Sequence, residues 1–175
     1  MNYIALSIGT IIIVLFSWFF SIKEKRYHGI ARFFAFESIF ILVLLNLKVW
    51  FHDPFSFHQI ISWILLFASI YPGIAGYVLL HKKGKPDDDH IERTTVVVKS
   101  GIYKYIRHPL YCSLLVLGTG VMFKNPDILQ LVFGAINLIA LYFTARIEEK
   151  EMIAKFGEEY IQYMSGTWMF IPYLF

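Results

Sequence analysis

Charge is what this sequence lacks most. Only 17% of its 175 residues are Asp, Glu, Lys or Arg, where a soluble domain carries roughly 25%. That shortage excludes an ordinary water-facing surface over the whole chain. The apolar residues, 57% of the total, come in long runs, which makes the bilayer the expected solvent. Cysteine is nearly absent: Cys112 stands alone, so no intramolecular disulfide can form. Internal repeats and low-complexity tracts are missing too. The net charge of +3 is unremarkable, and no nucleic-acid partner is expected. The first apolar run lacks a basic stretch before it and a small-residue cleavage site after it, so it is expected to stay as a helix rather than be removed as a leader.

What is there is a set of five apolar segments, at 3–22, 33–51, 57–80, 110–123 and 128–143. The first three approach or pass the ~20 residues that a helix needs to cross the hydrocarbon. The last two reach only roughly 21 and 24 Å at about 1.5 Å per residue. They are joined by "KNPD", where Asn125 can cap a helix and Pro126 can take its first position. They read as a short helical hairpin; a re-entrant pair is the competing reading. The expected fold is an all-α integral membrane protein of about five transmembrane helices, ending in a cytoplasmic amphipathic helix. One membrane domain is expected over 1–175, with three N-terminal helices in 1–80.

Basic residues set the orientation. Lys23, Lys25, Arg26, Arg32, Lys82, Lys83, Lys85, Arg93, Lys99, Lys104, Arg107, Arg146, Lys150 and Lys155 fall on one side if all five segments cross. Lys48 and Lys124 fall on the other, which predicts the N-terminus outside and the C-terminus in the cytoplasm. Trp18, Trp50 and Trp63 lie near segment ends and fit an aromatic belt.

Several polar features have ordinary explanations. "DDDH" (87–90) reads as cap or solvated surface rather than a metal site, since adjacent carboxylates point in different directions, and no metal is expected. "TTVVV" (94–98) is β-branched and reads as extended. Pro72, with Gly73 and Gly76, makes either a packing kink or a cavity wall. Glu37 lies a few residues inside the second segment and can reach the interface. Asn137 is expected to bond a neighbouring helix.

Two stretches are harder to dismiss. In "KYIRHPLY" (104–111), a residue before proline avoids the α region, so His108 is extended and Pro109 opens a helix. The imidazole then sits at a helix N-terminus, beside orphan N–H groups that favour a carboxylate or another polar ligand group. Arg107 adds a forked, permanently charged donor. A snorkelling anchor explains Lys104 and Tyr105 equally well. In "TARIEEKEMIAKFGEEYIQYM" (144–164), Met152, Ile153, Phe156, Tyr160, Tyr163 and Met164 form one apolar stripe. Glu149 falls inside that stripe and Glu148 on its border, so each needs a partner or neutralisation. Glu151 and Lys155 read as a surface i,i+4 pair.

Taken together, "VVVKSGIYKYIRHPLY" (96–111) and "EEKEMIAKFGEEYIQYM" (148–164), with Pro172 near the end, resemble the isoprenylcysteine carboxyl methyltransferase family and related phospholipid methyltransferases. The resemblance covers roughly 94–172 and implies that 81–175 is a cofactor-binding methyltransferase core. It implies S-adenosylmethionine as donor, with S-adenosylhomocysteine as product. Donor contacts are implied from Thr95, Val96, Val97 and Val98, from Tyr103, from His108, Pro109, Leu110 and Tyr111, and from Glu148. Glu149 is assigned as a supporting carboxylate and Arg107 as a positioning cation. A lipophilic acceptor entering from the bilayer is implied. Two departures matter. Ser113 stands where the family often has Gly. Thr144 stands where the prenylcysteine enzymes usually have a substrate-binding arginine. Arg146, two residues later, is turned about 200° to the other face and is kept as a substrate contact. A carboxylate acceptor needs only a cation to place it, whereas an amine acceptor needs a base such as Glu149 or His108. An NADPH-dependent membrane sterol or enone reductase and a non-catalytic scaffold are the rival readings.

Overall fold

In a computed structural model, residues 3–24, 26–85 and 94–174 are described. The "DDDH" stretch lies outside them. Six α-helices are present among the described residues: α1 (Tyr3–Phe20), α2 (His28–Asn46), α3 (Phe57–Lys83), α4 (Pro109–Met122), α5 (Ile128–Phe156) and α6 (Glu158–Ser165). No strand forms among these residues; a single parallel bridge joins Ile106 and Trp168. Four helices, α1, α2, α3 and α5, are long and apolar enough to cross a membrane, while α4 has 14 residues. The protein is an integral, multi-pass, all-helical membrane protein.

Contacts divide the chain into two compact units. The first is Met1–Phe67 with Leu115–Ile147; the second is Ala68–Leu114 with Glu148–Phe175.

In the first unit, α2 starts five residues before the expected position 33. Arg32, expected in a surface loop, is therefore helical and buried. Its guanidinium donates to Ser21 Oγ and lies over the Phe16 and Phe36 rings. The same shift makes Glu37 the tenth residue of a 19-residue helix, and its carboxylate accepts from Thr10 Oγ1 on α1 at 2.6 Å. Residues 47–51, expected to close the second segment, form turns. Asn137 donates to the Ala35 carbonyl, as its place within a span required. In the KNPD link the cap is Asp127 rather than Asn125: Asp127 Oδ1 accepts from Gln130 N at 2.9 Å, and the helix begins at Ile128. Its carboxylate reaches the orphan N–H one turn on. Lys124 does not face water. It is 1% exposed, lies 3.4 Å from the Trp63 ring centre, and donates to Gln59 Oε1. Burial lowers the pKa of its amine, and the indole faces supply part of the lost hydration.

In the second unit, α3 presents Ser69, Pro72, Gly73 and Gly76 at i, i+3, i+4 and i+7, one face of a helix. Ser113 Oγ of α4 donates to the Ser69 carbonyl at 2.7 Å. Pro109 and Leu110 lie opposite Gly76. Small residues here let two backbones approach. Ser113 fits because its opposite number has no side chain; a Cβ on Gly73 would come within 2.8 Å of Ser113 Oγ. Gly73→Ala should therefore lower stability by about 1–3 kcal/mol. Adding Ser113→Gly should recover most of the loss in thermal unfolding; an additive double variant would refute this contact.

The stretch 144–164, read from sequence as one helical stripe, is divided between two helices. The fifth apolar segment runs on without a break to Phe156, so α5 has 29 residues. The break comes at Gly157, whose φ of +57° ends one helix and starts α6. The charged residues from Arg146 to Lys155 are good helix formers, so hydropathy falls there while the helix continues.

Candidate functional site

The polar cluster of the second unit begins with a turn. Ser100 is extended, Gly101 takes φ +60°, and Gly101–Lys104 make one 3-10 turn. The chain then runs to His108, whose carbonyl accepts from Cys112 N in the first turn of α4. Pro109 is the first residue of that helix, as its missing N–H allows. His108 is thereby fixed at the helix entrance.

On α5, Glu148 and Glu149 arrive from the other direction. Arg107 Nε donates to Glu149 Oε1 at 2.8 Å, with the two side chains only 9% and 2% exposed. The same carboxylate oxygen is 3.4 Å from His108 Nε2, while His108 Nδ1 lies 3.8 Å from Glu148 Oε2. Glu149 is thus the more buried of the two, in line with its place in the helical stripe, and Glu148 keeps 21% of its side chain open. The Glu149 carboxyl lies beyond the apolar run 128–143. Burial alone would raise its pKa. Hydrogen bonds and charge from His108 and then Arg107 outweigh that and bring it to about 2.

Arg107 has further duties. Its Nη1 donates to the Thr167 and Met164 carbonyls at the end of α6. Met164 lies in the last turn of α6 and Thr167 just beyond it, and a cation is favoured near a helix C-terminus.

Three tyrosines surround the cluster. Tyr163 OH donates to the Tyr103 carbonyl at 2.7 Å, and Tyr103 OH lies 3.4 Å from the Gly76 carbonyl. The Tyr103 phenol is pushed well up by burial and then by the Glu148 charge. Tyr160 is raised by burial and by both carboxylates. All three stay neutral. Tyr111 stacks on the His108 ring, with centres 5.4 Å apart at 17°.

Among the residues expected from sequence, the structure brings Arg107, His108, Glu148 and Glu149 into one cluster, with Tyr103 and Tyr111 beside them. Pro109 and Leu110 pack toward Gly76. Thr95 is held elsewhere: its N–H donates to the Gly84 carbonyl and its hydroxyl to the Lys85 carbonyl. Val96 is exposed, Val97 half-buried and Val98 buried. Lys155 Nζ donates to the Thr94 carbonyl at 2.7 Å, tying that stretch to α5. Arg146 is exposed and belongs to the first unit, as does Thr144, which is fully buried with its hydroxyl on the Ala140 carbonyl. The sequence marked Tyr160 and Tyr163 only as members of the apolar stripe, and neither as a neighbour of the cluster. Sequence reasoning also missed the segment 167–170, which carried no signal because its contacts are largely backbone ones.

Fold and cluster define a class: a multi-pass helical membrane protein with a buried guanidinium–carboxylate–imidazole group beside its fourth helix. Residues 90–154 match the model of the isoprenylcysteine carboxyl methyltransferase family, a stretch that holds all four clustered residues. A protein-S-isoprenylcysteine O-methyltransferase of Saccharomyces cerevisiae is 36% identical over 105 residues, 57% of this chain and 41% of that protein. One from Dictyostelium discoideum is 38% identical over 89 residues, 49% of this chain and 34% of the relative. A methanethiol S-methyltransferase of Bradyrhizobium diazoefficiens is 35% identical over 72 residues, 41% of this chain and 25% of the relative. The chain thus spans less than half the length of these relatives. No solved structure matches.

Proposed function

We propose that this protein transfers a methyl group from S-adenosylmethionine to a lipophilic acceptor in the membrane, a prenylcysteine-type carboxylate being the first acceptor to test. The observation that carries this reading is convergence. Arg107 and His108 of one motif meet Glu148 and Glu149 of the other, some forty residues on, at 2.8–3.8 Å. The donor set fits the cofactor: Glu148 is an open carboxylate suited to an ammonium or to ribose hydroxyls, and Tyr111 adds an aromatic ring.

When bound, S-adenosylmethionine supplies a methyl group already electrophilic on its sulfonium. The protein's task is then binding and placement. We assign donor binding to Glu148, Tyr103, the stretch Thr95 to Val98, and His108 to Tyr111. Glu149 and Arg107 hold His108 in place. A carboxylate acceptor needs no proton removed, only a cation to orient it. An amine acceptor needs a base. Glu149 serves that role poorly, being 2% exposed and held near 2 by its partners, which leaves His108 as the base an amine acceptor would require.

The relatives named methanethiol S-methyltransferases bring a second reading, a thiol acceptor. It is favoured by Thr144, a buried and satisfied hydroxyl where the prenylcysteine enzymes carry a cation. In either reading residues 81–175 form the donor-binding core, α4 makes a fifth crossing, and the C-terminus is cytoplasmic.

Calorimetric titration of the purified protein with S-adenosylhomocysteine and with NADPH tests the donor. Binding of the first alone is expected; binding of neither would leave a scaffold. Labelled methyl transfer to an N-acetyl farnesylcysteine probe against a farnesyl thiol separates the two acceptors.

A further inference from the structure

The Arg-His-Pro motif fixes the backbone of His108 but not the direction of its ring. The residue before a proline has a restricted backbone, while its side-chain torsions stay free to choose among rotamers. An element outside both motifs joins Tyr111 and the two carboxylates around the ring in the rotamer in which Nδ1 faces Glu148 and Nε2 faces Glu149.

That element is the segment after α6. Trp168 N–H donates to the Tyr105 carbonyl at 3.0 Å, Arg107 N–H to the Trp168 carbonyl at 2.8 Å, and His108 N–H to the Met169 carbonyl at 3.1 Å. This is a short parallel ladder laid along the approach to α4. It delivers Phe170, fully buried at 0% exposure, with its ring 6.2 Å from that of His108 at 66°. Tyr111 covers the imidazole face to face on another side. His108 is thus stacked on one aromatic ring, met edge-on by a second, and faced by a carboxylate at each nitrogen. Every member of this set lies in the second unit.

We propose that Trp168–Phe170 is a strap that sets the orientation of the His108 ring, and that Phe170 is its positioning residue. Removing the Phe170 ring opens a void that neighbouring side chains only partly fill. The imidazole can swing into it, which separates its nitrogens from Glu148 and Glu149. Phe170 acts through His108. The proposal deepens the donor-site reading above for its binding arm, while its reactivity arm stands without that reading.

The test is carbethoxylation of histidines by diethyl pyrocarbonate, read residue by residue by mass spectrometry. His28, fully buried in the first unit, reports general loosening, and the exposed His52 serves as the reference. Phe170→Ala should raise the rate at His108 by about tenfold or more with His28 unchanged. Phe170→Leu, which refills most of the volume, should restore protection and guard against a simple folding failure. In parallel, Phe170→Ala should weaken S-adenosylhomocysteine binding by about tenfold, with Phe170→Leu close to the parent. The proposal is overturned by an unchanged His108 rate in Phe170→Ala. It is equally overturned if His28 and His108 rise together, which would make Phe170 a general core residue. If the parent protein does not bind S-adenosylhomocysteine, the donor reading falls, and the His108 rates still decide the strap.

Discussion

Glu149→Ala will destabilise the protein by about 3–5 kcal/mol, the cost of leaving a buried charge without its partner. The charge left behind is that of Arg107, 9% exposed, whose Nε–H loses its acceptor. Two carbonyls would still hold Nη1, so the fold should persist with a much lower thermal midpoint in detergent. Glu149→Gln keeps an oxygen for the hydrogen bond and should lose less. A cycle with Arg107→Ala should show coupling of about 0.5–3 kcal/mol; additive losses would mean that the pair contributes little. The same contact predicts acid sensitivity. The Glu149 carboxyl falls from its ordinary 4.5 to about 2 on folding. Its contribution is therefore fully present above pH 4.5 and lost as pH falls through 2. The parent's thermal midpoint should drop more steeply across that window than that of Glu149→Gln.

Glu148→Ala should do the reverse. This carboxylate is more open and stands 3.8 Å from His108, beyond hydrogen-bond reach, so its removal should barely change the thermal midpoint. If it accepts hydrogen bonds from the donor's ammonium or ribose, affinity for S-adenosylhomocysteine should fall by about 10- to 150-fold, the loss of a charge-assisted bond. Adjacent residues on one helix would then separate cleanly, Glu149 affecting stability and Glu148 affecting binding. Unchanged affinity in a folded Glu148→Ala protein would remove the residue from the site.

The helices were legible because hydrocarbon imposes a length on apolar runs. Their ends were less so, since a helix does not stop where hydropathy stops. Polar His28 and Arg32 lie inside α2, and charged Glu148 to Lys155 lie inside α5. Glu149 could be picked out because a carboxylate in an apolar stripe contradicts its surroundings. The acceptors of Arg107 could not be foreseen at Met164 and Thr167, because a backbone carbonyl is the same at every residue. The same limit hid the strap, and it hid the Lys124 amine beneath Trp63, where two features that each looked like membrane-interface decoration turned out to share one site.

Gly157 separates α5 from α6 with φ +57° and ψ −134°, and a Cβ there would meet nothing within 4 Å. Volume therefore does not explain the glycine; handedness does. Reflected, those angles become those of an extended residue at the first corner of a common turn. A D-alanine introduced by semisynthesis would rest there without strain, while L-alanine would cost about 1–3 kcal/mol. The direction in which Tyr160 and Tyr163 leave α5 thus depends on one achiral carbon. A mirror-image residue at that single point should be better tolerated than any of the natural side chains.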